Sequence, residues 1–133
     1  MQTNTASQLK PYSLRKKQVH TLILTYKFRF ITSSLLADFR SISQKNSNKS
    51  LKILLEHGYL DKNFEKSYII EGKGPRYYLT RRSIAYLRET TSIDPRALRV
   101  MYKNGALSTT FIEHSLEVMK FYLQLRTLYP GDF

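Results

Sequence analysis

Cysteine and tryptophan are absent from this chain, and acidic residues are scarce, with 10 Asp and Glu against 22 Lys and Arg in 133 residues. The missing cysteines exclude a disulfide scaffold, a zinc–thiolate site and a thiol nucleophile together. No stretch approaches 18 uninterrupted apolar residues, so no membrane span is expected. Residues 1–11 are polar and lack the apolar segment of a signal peptide, which makes the cytoplasm the expected location. There is no internal repeat, and no biased segment beyond that polar start.

Hydrophobic residues make up 41% of the chain and charged residues 24%, which is ordinary globular usage and enough for a core. The length fits one compact domain with an appended helix or tail. The net charge of +12 is large for this size and points to a polyanionic partner. Seventeen of the basic residues but only six of the acids fall within the first 89 positions, so nearly all of the excess sits there. Charge kept for solubility alone would be spread more evenly.

Residues 1–11 read as a flexible polar arm ended by Pro11. Leu14, Val19, Leu22, Ile23, Tyr26 and Phe30 then recur at helical spacing, with Arg15, Lys16 and Lys17 in the opening turns, where they oppose the helix dipole and suit a nearby phosphate. Thr32 is a good N-cap for a short helix carrying Leu35, Leu36 and Phe39. After a turn at residues 40–43, Leu51, Leu54 and Leu55 mark a third helix over residues 46–57, polar and basic at its front and stopped by Gly58. Aromatic and β-branched residues around a Gly72–Pro75 turn read as a hairpin that includes Tyr68-Ile69-Ile70. Thr80 caps a fourth helix over residues 81–89, Pro95 opens a short helical turn, and Asn104-Gly105 breaks the chain before a last helix over residues 110–128.

This order of helix, short helix, helix, hairpin and helix is that of a winged helix-turn-helix. The fold class expected is mainly α with a small β-hairpin: a winged domain over residues 12–90 and a C-terminal helical extension over residues 91–133 serving dimerisation. In such a fold the front of the third helix enters the major groove and the hairpin tip reaches the flanking backbone.

Several motifs carry a closer resemblance. Leu51 and Leu54 fall at the core positions of a recognition helix, Asn48-Lys49 at the pair that faces DNA, and Gly58-Tyr59-Leu60 at its exit. Arg76-Tyr77-Tyr78-Leu79-Thr80 resembles the Tyr-x-Leu-Thr signature of MarR- and PadR-type winged helices. Tyr26-Lys27-Phe28-Arg29-Phe30-Ile31-Thr32, the same Tyr-Leu-Thr, and Glu113-His114-Ser115-Leu116-Glu117-Val118 are similar to the plasmid replication-relaxation family. The resemblance spans roughly residues 14–125, with Ser83 standing where such domains often carry glycine. It implies a role in plasmid replication, conjugative DNA processing or the regulation of those genes.

The candidate groove readers are Gln44, Lys45, Asn46, Asn48, Lys49 and Lys52. Asn and Gln can bind adenine bidentately, while Lys reaches guanine or phosphate. Lys66, Lys73 and Arg76 are the candidate wing contacts, and Arg15, Lys16 and Lys17, with Lys10 in the arm, a further N-terminal set. Phe111, Ile112, Leu116, Met119 and Leu123 form apolar stripes on the last helix that read as a dimer interface. His114 reads as a packing residue, and the spacing of His20, His57 and His114 matches no metal-ligand motif. Ten tyrosines without a metal-binding histidine cluster read as core and groove-edge aromatics, so neither enzymatic activity nor a metal or cofactor is expected. The expected partners are double-stranded DNA, a second copy of the chain and a relaxase or replication initiator. A transcriptional repressor and an interaction module that no longer reads DNA are the alternatives.

Overall fold

In the computed structural model, which describes residues 12–129, short side-chain caps decide where most helices begin. Helix α1 (Lys16–Phe28) is entered at Arg15, whose backbone N–H donates to the Gln18 side chain at 2.8 Å. Helix α2 (Ser33–Arg40) is capped by the Thr32 hydroxyl, which accepts from the Leu35 N–H at 3.2 Å. Helix α3 (Gln44–Glu56) begins two residues ahead of the expected start, because Ser43 accepts from the Asn46 N–H at 3.1 Å. Between α2 and α3, Ser41 adopts φ 56°, and Gly58 at φ 79° ends α3 where a side chain would be strained. The expected arm at residues 1–11, Lys10 included, lies outside the described residues.

Strand β1 (Leu60–Asn63) pairs antiparallel with β2 (Arg76–Leu79), Leu60 opposite Leu79 and Asn63 opposite Arg76. Ile31 and Tyr77 exchange backbone hydrogen bonds of 2.8 and 3.0 Å, so the approach to α2 is tied to the hairpin. The hairpin arms are interrupted: Tyr68-Ile69-Ile70, expected as strand, belongs to a short helix, α4 (Lys66–Ile70). Tyr68 is buried, its hydroxyl donates to Asn63 Oδ1 at 2.9 Å, and the Arg76 guanidinium lies 4.2 Å from its ring centre. That tertiary seat overrides the β propensity of the segment.

Helix α5 (Arg81–Thr90) starts at Thr80, whose hydroxyl accepts from the Ser83 N–H at 3.3 Å and donates to the Gly58 carbonyl at 2.6 Å. Ser83 is buried and its Oγ accepts from the Thr80 N–H at 2.9 Å, completing a capping box that glycine could not make. Asp94 caps the short α6 (Pro95–Arg99), which runs into a 3-10 segment, Val100–Ala106. Ser108 caps α7 (Thr109–Leu128), accepting from the Phe111 N–H at 3.2 Å.

One hydrophobic cluster joins all of these: Leu22 of α1, Leu36 of α2, Leu51 and Leu54 of α3, Leu60 and Leu79 of the hairpin, and Ile84 and Leu87 of α5. Residues 91–129 share it through Leu98, Met101, Ile112, Leu116 and Met119. This corrects the expected dimer contact, since Ile112, Leu116 and Met119 are buried in the chain's own core and face α1 and α2 rather than solvent. A seam that serves a core and one that serves a partner have the same three- and four-residue steps, so spacing could not separate them. Phe111 and Leu123 are half-buried against the edge of that core. The outward face of α7 carries Val118, Phe121 and Leu128 instead, with the half-buried Leu125 between them. His114, expected to pack inside, is also exposed there. Among the described residues no helix is long and apolar enough to cross a membrane.

Candidate nucleic-acid interface

Helix α3 buries Ser47, Leu51 and Leu54 and turns Gln44, Lys45, Asn46, Asn48, Lys49 and Lys52 to solvent. All six candidate readers therefore share the exposed side of one helix. Lys45, Lys49 and Lys52 follow at four- and three-residue steps, and among the described residues none has a carboxylate within 4 Å. With no carboxylate paired to them, these lysines keep their charge for a ligand, Glu56 one turn beyond Lys52 being the acid on this side of the helix.

Beside it the polar readers are held by α2. The Ser33 hydroxyl donates to Asn48 Oδ1, and Gln44 Nε2 reaches the same oxygen at 3.0 Å and Ser33 Oγ at 2.5 Å. Ser47 Oγ anchors this knot from below by donating to the Ser33 carbonyl at 2.6 Å. With Oδ1 serving two donors, the Nδ2 donors are the end of the Asn48 amide left without a partner among the described residues. That end can donate to an acceptor such as guanine O6 or N7 or a phosphate oxygen, and a bidentate adenine contact requires Oδ1 to exchange its partners Ser33 and Gln44.

The wing differs from expectation at Arg76. Its side chain is only 3% exposed, Nη2 meets Glu113 Oε2 at 2.7 Å, Nε reaches the same oxygen at 3.2 Å, and Nη1 donates to the Gly74 carbonyl. Arg76 is thus a buried strut between hairpin and α7, not a phosphate contact. Lys73 is paired, 3.2 Å from Glu71 and 3.6 Å from Glu113, while Lys66 on α4 is exposed and, among the described residues, outside every such pair. Burial acts to raise the Glu113 carboxyl, but the hydrogen bond and charge of Arg76, with Lys73 beyond it, outweigh this and hold it below the usual carboxylate range. Arg15, Lys16 and Lys17 are all exposed at the start of α1, away from α3 in sequence and on a separate element.

A cleft of about 610 Å³ opens between these parts, lined by Ser33 of α2, Gln44 and Asn48 of α3, Lys73 before β2, and Glu113 and Lys120 of α7. Sequence reasoning found its α3 and wing walls. It missed the α7 wall, because nothing in the spacing of Glu113 announces a partner 37 residues away.

A helix-turn-helix with a capped reading helix, followed by a two-stranded wing and braced by a terminal helix, defines the class: this is a winged-helix protein. Residues 22–128 match the profile of the Replication-relaxation family, and the chain belongs to that family. No curated protein matches it. Among solved structures, a point mutant of ZitR from Lactococcus lactis is similar over 89% of this chain and 76% of that one, at 20% identity and a TM-score of 0.49.

Proposed function

We propose that this protein binds double-stranded DNA sequence-selectively, with the front of α3 in the major groove. The observation that carries the reading is the unpaired stripe of Lys45, Lys49 and Lys52 beside the Gln44–Asn48 knot, on a chain of net charge +12. The lysines supply affinity through phosphates, and the oriented amide of Asn48 supplies selection. Lys66 extends the track along the wing, and Arg15, Lys16 and Lys17 add an arm. The role is accessory and non-catalytic, in the cytoplasm: marking an origin or transfer region of a plasmid or mobile element while a relaxase or initiator does the chemistry. Burial pushes the phenols of Tyr68 and Tyr77 up, the reverse of what a tyrosine nucleophile needs.

The protein acts as a homodimer through the outward face of α7, where Val118, Phe121 and Leu128 lie exposed on the side opposite its buried residues. A twofold pairing there sets two reading helices on half-sites about one helical turn apart.

Fluorescence anisotropy on a selected duplex and on a random duplex across a salt series tests the DNA reading. The expected result is selective, salt-sensitive binding that the Asn48→Ala/Lys49→Ala double variant loses. Binding that ignores salt, or no binding to either duplex, sinks the proposal and leaves a winged helix kept for protein contacts.

A further inference from the structure

A second cleft, of about 500 Å³, is built from other elements: α1, the end of α2 and the last turns of α7. Its floor is aromatic. The Phe39 and Tyr122 rings stack 5.9 Å apart at 13°, and Phe28 meets Tyr122 edge-on at 5.3 Å. Leu24 completes the apolar part, and His20, Lys27 and Arg126 form the rim. The Arg126 guanidinium lies 4.1 Å from the Phe39 ring centre and donates to the Phe39 carbonyl, which fixes it over the floor.

The rim is positively charged and unneutralised. Among the described residues no carboxylate lies within 4 Å of Lys27, Arg126 or the neighbouring Arg40. The His20 imidazole reports the same crowding: burial first, then the charges of Arg40, Lys27 and Arg126, hold it below its ordinary range. A core has no use for two cations, Lys27 and Arg126, set without a carboxylate at the edge of one aromatic surface; Arg40 stands behind them, donating to the Lys17 carbonyl and Thr21 Oγ1. A simple phosphate would gain nothing from the rings, and a neutral apolar molecule would leave the cations unmatched. The pairing of the two chemistries selects a molecule that carries both, and the volume lies within the usual range for small-molecule sites.

We propose that this cleft binds a small planar aromatic anion, its ring on Phe28, Phe39 and Tyr122 and its acid group between Lys27 and Arg126. The site shares no residue with the α3 interface and does not depend on the DNA reading. No sequence signal announces it, since its rim residues are dispersed over positions 20–126.

Calorimetric titration of the full chain with 2-naphthoate tests it, beside inorganic phosphate and 2-naphthylmethanol as anion without ring and ring without anion. The expected result is one saturable site with Kd below about 1 mM, at least tenfold weaker binding of both comparators, and at least tenfold weakening in Lys27→Gln and in Arg126→Gln. A Lys45→Gln/Lys49→Gln variant on α3 binds as the parent does. Because Arg126 also holds the Phe39 carbonyl, its variant can loosen the fold, and Lys27→Gln then decides the matter with a thermal melt to show that it is folded. No saturation, equal binding of phosphate, parent-like binding by Lys27→Gln, or equal weakening by the α3 variant overturns the proposal. Loss of duplex affinity in Lys27→Gln without any naphthoate binding also overturns it and assigns the rim to nucleic acid.

Discussion

At the residue scale the pair Arg76–Glu113 shows why residue type alone misplaces a role. A basic residue near a wing tip invites a phosphate, yet the Arg76 guanidinium is enclosed by Tyr68, the Gly74 carbonyl and the Glu113 carboxylate. Removing the carboxylate leaves a buried cation without its counter-charge. Glu113 is itself more than a third exposed, which limits the effect, so Glu113→Gln is expected to cost about 1–2 kcal/mol at pH 7 in urea unfolding. The sign of its pH dependence follows from the depressed folded value. The stabilisation is fully present above the unfolded-state value near 4.3 and fades as pH falls through the lower folded value, so parent and variant converge in strong acid. A difference that persisted unchanged at pH 3 would mean that packing, not charge, holds this joint.

At the element scale the recognition helix is bounded by two hydroxyls. Ser43 caps its first turn, and Thr80, at the far end of the wing, holds the Gly58 carbonyl just beyond its last turn. Thr80→Ala removes that bond and the α5 cap together and is expected to lower stability by about 1–2 kcal/mol in chemical denaturation. Thr80→Ser should recover most of the loss. The Tyr-Leu-Thr pattern noticed in the sequence thus has a physical content: Leu79 enters the core and Thr80 ties two elements. Helices α2 and α5 were legible from the local hydroxyl caps Thr32 and Thr80, and α3 and α7 from their three- and four-residue apolar rhythm, although the Ser43 cap that starts α3 two residues earlier was not read. Helix α4 was not, since Tyr68 is helical only by virtue of Asn63 and Arg76, which the segment itself does not contain. The α3 face of the interface was readable from polarity and charge. The orientation of Asn48 was not, because it is set by Ser33 on another helix. Ser33→Ala is accordingly expected to reduce discrimination between the selected and random duplexes several-fold while leaving random-duplex affinity nearly unchanged, in the same anisotropy assay.

At the scale of the whole molecule, one apolar face left over among the described residues is the outward side of α7, where Phe121 is 60% and Leu128 70% exposed. Phe121→Asp is expected to yield a folded monomer in sedimentation equilibrium, with duplex affinity reduced at least tenfold through loss of the second half-site. A dimer unaffected by that change would move the contact elsewhere. With Arg76 withdrawn from the phosphate set, Lys45, Lys49, Lys52, Lys66 and one residue of the 15–17 cluster make about five neutralised phosphates per protomer, and the log–log salt slope per half-site should be about −4 to −5.

Helix α7 has three sides in use: its inner side packs on α1 and α2, Glu113 grips the wing, and its outer side is exposed. Under the proposed pairing, the helix that would join two copies is the one that already holds the wing through Glu113, so both half-sites are referenced to a single packed element.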